Sequence, residues 1–515
     1  MTEESRGMLQ NHAVVQGFRA GSAWVSRPRG QALPLIAAAV LIIAANPISA
    51  AGPRSYAAVD TGQTTCYDHR APIPCQRAGQ PWFGQDGNYQ GASPQYRDNG
   101  DGTVTDGVTG LMWEKGFERA RFAEAAELAG RARTGGYQDW RVPTIKELYS
   151  LMNFSGSSGR ARPGMGGAPQ DARPYLDTRY FNFEYPSQGR YIDAQYISST
   201  LYRGMTMGHD RSFFGVNFAD GRIKAYPQNG GPGGRLWYLR LVRGNPAYGR
   251  NDFVDERNGT VADRATGLTW MQGDSGDPAF RANVAGTARG TGALDWRESL
   301  AFCEGLTWGG RADWRLPNAK ELQTIVDYER SPSTTGSPAI APIFRTTALR
   351  DADGPDWPYF WSSTTHLDGP GQGDFAVYIA FGEAKGHVSP SMMRFGAAGM
   401  GPDGGSDGGR GRMGGPPPGM ERPPEVGMGG PPPQDGMGRP PPPMWGGPSP
   451  ERGGASFGNG GAPRAAGPLK LMDVHGAGAQ RSSIKSGDES QLPVGRGPQG
   501  DVARIYNYVR CVAGE

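Results

Sequence analysis

A ten-residue stretch occurs twice, and it limits how the chain can fold. Asp139-Trp140-Arg141-Val142-Pro143-Thr144-Ile145-Lys146-Glu147-Leu148 returns as Asp313-Trp314-Arg315-Leu316-Pro317-Asn318-Ala319-Lys320-Glu321-Leu322. Each copy reads as extended backbone that runs through a proline into a helix. Thr144 and Glu147 form an S/T-x-x-E capping box, and Asn318 with Glu321 is a close variant. Pro143 and Pro317 precede the cap, where a missing N–H costs little and the residue before is held extended. Trp140-Arg141 and Trp314-Arg315 admit two readings. One is an exposed aromatic platform for sugars. The other is a core indole beside an arginine that pairs with Glu147 or Glu321. Their identical context beside helix caps favours the second, a structural keystone rather than an active site.

The motif belongs to a longer repeat. Asp98-Asn99-Gly100-Asp101-Gly102-Thr103-Val104-Thr105-Asp106 leads to Leu111-Met112-Trp113, and Asp255 to Asp263 leads to Leu268-Thr269-Trp270. Turn residues followed by alternating Thr/Val read as a β-hairpin. A helix follows in each copy, its apolar face predicted at Phe122, Ala126 and Ala129, and at Trp296, Leu300 and Cys303, with Gly135-Gly136 and Gly309-Gly310 ending the segments. After the motif, Tyr196-Ile197-Ser198-Ser199-Thr200 matches Phe360-Trp361-Ser362-Ser363-Thr364. Strand pairs are predicted for Phe213–Phe218 with Gly221–Ile223, and for Phe375–Phe381 with Gly386–Val388. Tyr238–Gly244 closes the first copy and Tyr508–Gly514 the second. Domains are expected at 96–247 and 248–515, after a lead-in at 52–95. Residues 389–466 are Gly-, Pro- and Met-rich without a Gly-X-Y period, which predicts a disordered loop rather than a collagen helix. Shorter Gly-rich insertions fall at 155–169 and 228–235.

Arg19, Arg27 and Arg29 precede an apolar run from Ala32 to Ala45, followed by Asn46-Pro47 and the small residues Ser49-Ala50-Ala51. That order predicts a secretory signal over 1–51, too short for a comfortable membrane span; an uncleaved anchor is the alternative. The four cysteines, Cys66, Cys75, Cys303 and Cys511, all follow it, and an even count in an exported chain points to disulfides. The short loop between Cys66 and Cys75 favours that pair, which leaves Cys303 with Cys511. No CxxC pattern supports zinc. Cys303 aligns with Ala129 and Cys511 with Leu241, so the bond would staple one copy where the other has an apolar contact. A formal net charge of +3 gives no reason to expect nucleic acid as partner.

Other motifs read as structure. Asp98–Gly102 resembles part of a calcium loop but lacks its alternating ligands and distal Glu. Ser198-Ser199-Thr200 and Ser362-Ser363-Thr364 have no G-x-S-x-G elbow around them. The histidines, 6 in all, are scattered, and His209 and His366 do not fall at matched positions. The methionines from Met393 to Met437 lack close Met-x-Met spacing for a soft metal. No cofactor is expected.

The D-N-G-D-G-T-V-T-D…T-G-L-M-W, D-W-R-[VL]-P-[TN]-x-K-E-L and S-S-T series, with its closing V-R strand, resembles the Lcl C-terminal domain family, named after a collagen-like bacterial adhesin. The resemblance covers 96–244 and 251–514, less the insertions. It implies an envelope or secreted module, in the named case an adhesin that binds polysaccharide. The Arg141–Leu148 and Arg315–Leu322 stretches are more distantly similar to C-type-lectin-like folds of the formylglycine-generating-enzyme kind, which need reactive cysteines. The expectation is an α+β chain of two tandem C-type-lectin-like domains, exported to the cell envelope or beyond. It would bind a polysaccharide or a surface protein, without catalysis, through loops after Ser-Ser-Thr. An enzyme or accessory of the formylglycine-generating type, and an envelope scaffold acting through the Pro/Gly loop, are the alternatives.

Overall fold

The computed structural model describes residues 54–161, 167–230, 234–351, 354–389, 468–497 and 499–514. The expected signal over 1–51 and nearly all of the 389–466 loop lie outside the described residues, as do the middles of the two shorter Gly-rich insertions. Both repeats fall in one unit, Ala51–Glu515.

The two copies repeat one plan, mostly β with a few short helices. In each, the Asn/Asp-Gly turn throws back a hairpin, Thr103–Asp106 on Tyr96–Asp98 and Thr260–Asp263 on Phe253–Asp255, and a second turn adds Leu111–Glu114 and Leu268–Met271. Gly102 and Gly259 take φ of +87° and +86°, a left-handed turn where a Cβ is disfavoured. The closing strands, Val242–Gly244 and Val512–Ala513, add to these hairpins and complete a four-stranded sheet in each copy.

The motif joins this small sheet to the main one. Arg141 exchanges both backbone hydrogen bonds with Val242, and Arg315 does the same with Val512. Two residues on, the Pro143 and Pro317 carbonyls accept from the Ser199 and Ser363 amides at 2.8 Å. The motif helices, Ile145–Ser150 and Ala319–Thr324, start there under their capping boxes. Trp140 and Trp314 are buried, and each indole N–H donates at 3.1 Å to the carbonyl six residues earlier, of Thr134 and Trp308.

The main sheet runs through both copies. Its order is Tyr359–His366, Phe375–Ala380, Gln480–Ile484, Arg222–Pro227, Ser212–Asn217, Gln195–Leu201, Trp237–Leu239, Glu118–Ala120. The first three strands belong to the second copy and the other five to the first. They meet at a seam where Gln480 pairs with Ile223. Below it the two motif helices pack on each other in a core drawn from both copies. Two further clusters lie behind Trp140 and Trp314.

The motif lysines hold the copies together reciprocally. Lys146 donates to the Thr324 carbonyl at 2.6 Å, and Lys320 to the Ser150 carbonyl at 2.8 Å. Each ammonium thus sits on the last residue of the other copy's helix, the end whose dipole favours a cation. Each also holds a connecting segment, Lys146 at Gly249 and Asn251, Lys320 at Asp60. Burial lowers both pKa values to about 8, so both remain charged at neutral pH.

The cysteines form Cys66–Cys75 and Cys303–Cys511 bonds, and Ala129 and Leu241 share an apolar cluster at the position matching the second. Three expectations need correction. Phe122–Glu124 is a 3-10 turn and the helix runs Ala125–Arg131, so the phase shifts: Ala125 and Ala129 are buried and Ala126 is exposed. The helices stop at Arg131 and Glu304, before the Gly-Gly pairs, which lie in the turns that follow. Phe375–Ala380 pairs with Gln480–Ile484, not with Gly386–Val388. The latter lies in Lys385–Val388, which pairs with Lys470–Asp473 at the base of the long insertion.

Trp140→Ala and Trp314→Ala should each cost about 3–5 kcal/mol of stability, read by denaturant unfolding. Either variant folding with unchanged midpoint would contradict a core role. Lys320→Met should cost about 1–3 kcal/mol, because the Ser150 and Asp60 carbonyls lose their donor.

Candidate functional site

The motif residues are consumed locally. Glu147 is buried; its Oε2 accepts from the Thr144 amide at 2.8 Å and from Arg141 Nη1 at 2.6 Å, while Oε1 accepts from Arg141 Nη2 at 2.5 Å. Glu321 repeats this with Asn318 and Arg315 at 2.9, 2.7 and 2.6 Å. The return bonds close both caps, from Glu147 N–H to Thr144 and from Glu321 N–H to Asn318. These six residues, with the buried Trp140 and Trp314, therefore act as two matched structural units. Ser198 and Ser362 donate to the Phe214 and Val377 carbonyls across the sheet. Asp98 and Asp101 accept from amides of their own turn, and Asp98 pairs with Lys115. Among the described residues no His, Cys, Asp and Glu group is arranged to hold a metal ion. All four cysteines are disulfide-bonded, which leaves no free thiol.

The cleft richest in chemistry lies over the sheet seam, with a volume of about 680 Å³. Its walls come from Arg190–Gln195 and Arg222–Lys224 of the first copy. The second copy supplies the Asp368–Phe375 loop after its Ser-Ser-Thr strand, Arg481-Ser482, and part of 493–503. Arg222 sits between Asp220, at 3.2 Å, and Asp368, which also accepts from Ser158 at 2.7 Å. Asp501 joins His475, at 2.6 Å, to Arg481. Lys224 donates to Gln499 at 3.0 Å, and Arg190 pairs with Asp193 at 2.7 Å. Arg190, Arg222, Lys224, Arg481 and Arg496 thus face Asp193, Asp220, Asp368, Asp374 and Asp501, so formal charge in the cleft is balanced.

Burial sets the ionisation of this network. It lowers Lys224 to about 7, with Arg481 adding repulsion. It raises the Asp220 carboxyl. Burial opposes ionisation of Asp368 as well, but Arg222 and its other partners hold it well below the usual carboxylate range. His366 lies beneath, its ring bonded to Ser482 Oγ and the Asp220 carbonyl, and burial with Arg222 nearby lowers it to about 3. It is therefore neutral at any physiological pH. His475 is lowered to about 3 by burial too. Several polar atoms here are buried without a hydrogen-bond partner among the described residues: Asp220 Oδ1, and Arg481 Nε and Nη1. Such atoms also occur far from the cleft, as at Trp113 Nε1 and Arg510 Nε, and they are enclosed by protein; what suits a polar ligand is a concave wall lined by charged and polar side chains.

The profile of the Lcl C-terminal domain matches residues 102–243 and 259–395, more than half of the chain. The chain belongs to the Lcl C-terminal domain family. No curated protein and no solved structure matches it. The match to the second Lcl domain stops at 395, yet the strands that complete its sheets, Gln480–Ile484 and Val512–Ala513, come after the long insertion. The two disulfides point to an oxidising, extracytoplasmic compartment. No helix among the described residues is long and apolar enough to cross a membrane.

Two sets of matched residues escaped the sequence reading. Lys146 and Lys320 are visible in both motif copies, and so are Arg240 and Arg510 in the closing strands. Those arginines are fully buried and donate only to oxygens of neighbouring segments, including Glu114, Asn182, Met271 and Arg345 carbonyls. The seam cleft carries a weaker signal: Lys224 and Arg481 occupy matching strand positions, while Arg222 and Asp368 have no charged counterpart in the other copy.

His366 gives a pH test. Its folded pKa lies below the ordinary value of 6.5, so the unfolded chain takes up a proton first as pH falls. Its stabilisation is present above about 6.5 and is lost between there and about 3. Relative to His366→Gln, the native chain should lose stability toward a limiting slope of about 1.4 kcal/mol per pH unit below pH 6.5. Parallel urea midpoints for the two proteins from pH 7 to 4 would contradict a neutral buried imidazole.

Proposed function

We propose that this chain is an exported, non-catalytic binding protein with a C-type-lectin-like build, and that the seam cleft takes a neutral carbohydrate. The observation that carries the reading is the charge-balanced polar wall around Asp220, Arg222 and Arg481. A polyhydroxyl ligand supplies donors and acceptors together, which suits a surface with both signs of charge. A polyanion would meet as many carboxylates as cations. Burial holds these side chains in place before the ligand arrives, which reduces the ordering cost of binding. The family resemblance to a polysaccharide-binding adhesin agrees in ligand class. Against the formylglycine-generating alternative stands the lack of a free thiol.

A glycan array probed with the full chain tests this. Neutral glycans should bind, and binding should persist at about 0.5 M salt, where exposed charge attraction is screened. Lys224→Met and Gln499→Ala should each weaken it by about tenfold, equivalent to one lost hydrogen bond. An array with no hits, or hits confined to sulfated glycans and abolished by salt, would sink the proposal.

A further inference from the structure

The two motif platforms are built alike but covered differently. On the second copy, the lead-in folds over the end of the Ser-Ser-Thr strand. The Gln63 side chain pairs like a strand with Thr365, its Oε1 accepting from the Thr365 amide and its Nε2 donating to the carbonyl, both at 2.8 Å. The Ala319 amide, first in the motif helix, donates to Thr364 Oγ1, and that hydroxyl donates onward to Asp86 at 2.5 Å. Tyr89, three residues on, lies against the Arg315 guanidinium, 5.4 Å from ring centre to Cζ. Ser363, Thr364 and Thr365 are buried beneath, and the space left is about 170 Å³.

On the first copy no such cover is present among the described residues, and the same surface opens into a cleft. The Ile145 amide donates to Thr200 Oγ1 at 3.0 Å, as Ala319 does to Thr364. Among the described residues no carboxylate stands where Asp86 would be, and nothing plays the part of Gln63 at Leu201, which is 39% exposed. Arg141 keeps 36% of its side-chain surface, against 13% for Arg315. The cleft beside it measures about 830 Å³. The difference has a simple origin in the chain. Asp60 and Asn251 are both held by a motif lysine, at matching places. After Asp60 the chain spends residues 61–92 on the second platform; after Asn251 it enters the Phe253–Asp255 strand almost at once.

We propose that the open platform of the first copy is a docking site for a peptide of another protein carrying an Asp-x-x-Tyr turn. The Asp carboxylate accepts from the Thr200 hydroxyl, the Tyr ring covers Arg141, and the adjoining segment pairs with the Leu201 edge. The site is distinct from the seam cleft, so either can fail without the other. Charged acceptors strengthen a hydroxyl hydrogen bond, and a free strand edge is a ready partner for extended peptide.

The probe is a synthetic Thr61–Ala92 peptide, closed by its disulfide and titrated into the full chain. One equivalent should bind, with slower amide exchange at Ser199–Leu201. Thr200→Val should weaken binding about tenfold or more while Thr200→Ser preserves it, and a peptide carrying Asp86→Ala should lose as much. Circular dichroism melts of both variants check that the fold survives. Absence of binding at about 1 mM peptide (a free energy near 4 kcal/mol) would overturn the proposal. So would binding indifferent to Thr200→Val or Asp86→Ala, or protection at Ser363–Thr365, which would mean displacement of the resident lead-in.

Discussion

A buried glutamate at the third position of a short helix holds each half of this protein in shape. Glu147 and Glu321 accept two bonds from an arginine on the entering strand and one from the cap residue's amide. A helix of six residues has little stability of its own. Here its start is fixed by the glutamate, and a threonine hydroxyl of the adjacent strand takes its first amide. The arginine's backbone is meanwhile locked to the closing strand. One carboxylate therefore sets the relation between helix, small sheet and main sheet. Removing the arginine would strand a buried carboxylate, which is costly compared with leaving both.

Duplication then adds a second level. With the geometry of each half fixed, the lysine beside the glutamate points across to the other half's helix end, and the arrangement closes on itself twice. The sheets join at Gln480 and Ile223, and the two halves share one core. The copies are interdependent for this reason, and not beads on a string. It also explains where difference is tolerated. The lead-in covers one platform and leaves its twin open; the long insertion leaves the second copy beside the Lys385–Val388 and Lys470–Asp473 pair. Neither addition replaces a bond of the Arg–Glu–cap unit; the lead-in only lays Tyr89 against Arg315.

Much of this could be read from the sequence because the repeat supplies an internal control. The capping boxes, the buried Trp140 and Trp314, the Arg–Glu pairs and the correspondence of Cys303–Cys511 with Ala129–Leu241 all rest on local spacing or on the alignment of two copies. The misreadings arose where local pattern competed with tertiary pairing. Phe122 and Ala126 match a helical period, but a 3-10 turn at Phe122–Glu124 changes the phase and buries Ala125 instead. Gly386–Val388 lies close in sequence to Phe375–Ala380, whereas the true partner is about a hundred residues away, beyond the insertion. No periodicity encodes a pairing interrupted in that way.

The seam cleft was missed for a deeper reason. A residue earns notice in a duplicated sequence by recurring, and recurrence marks what both halves need in order to fold. Arg222 and Asp368 do not recur; they meet only because two sheets are joined, a junction that also brings Lys224 near its counterpart Arg481. The junction buries charges that each half alone would leave in water, and it leaves some of their atoms unpartnered. A purely structural seam would be expected to replace such groups with apolar ones, since a well-packed apolar contact is at least as stable as a buried ion pair. Buried charges occur elsewhere in the chain too, as at Arg240, Arg510, Lys146 and Lys320, but those are bonded to carbonyls of the fold, whereas the seam groups line an open cleft.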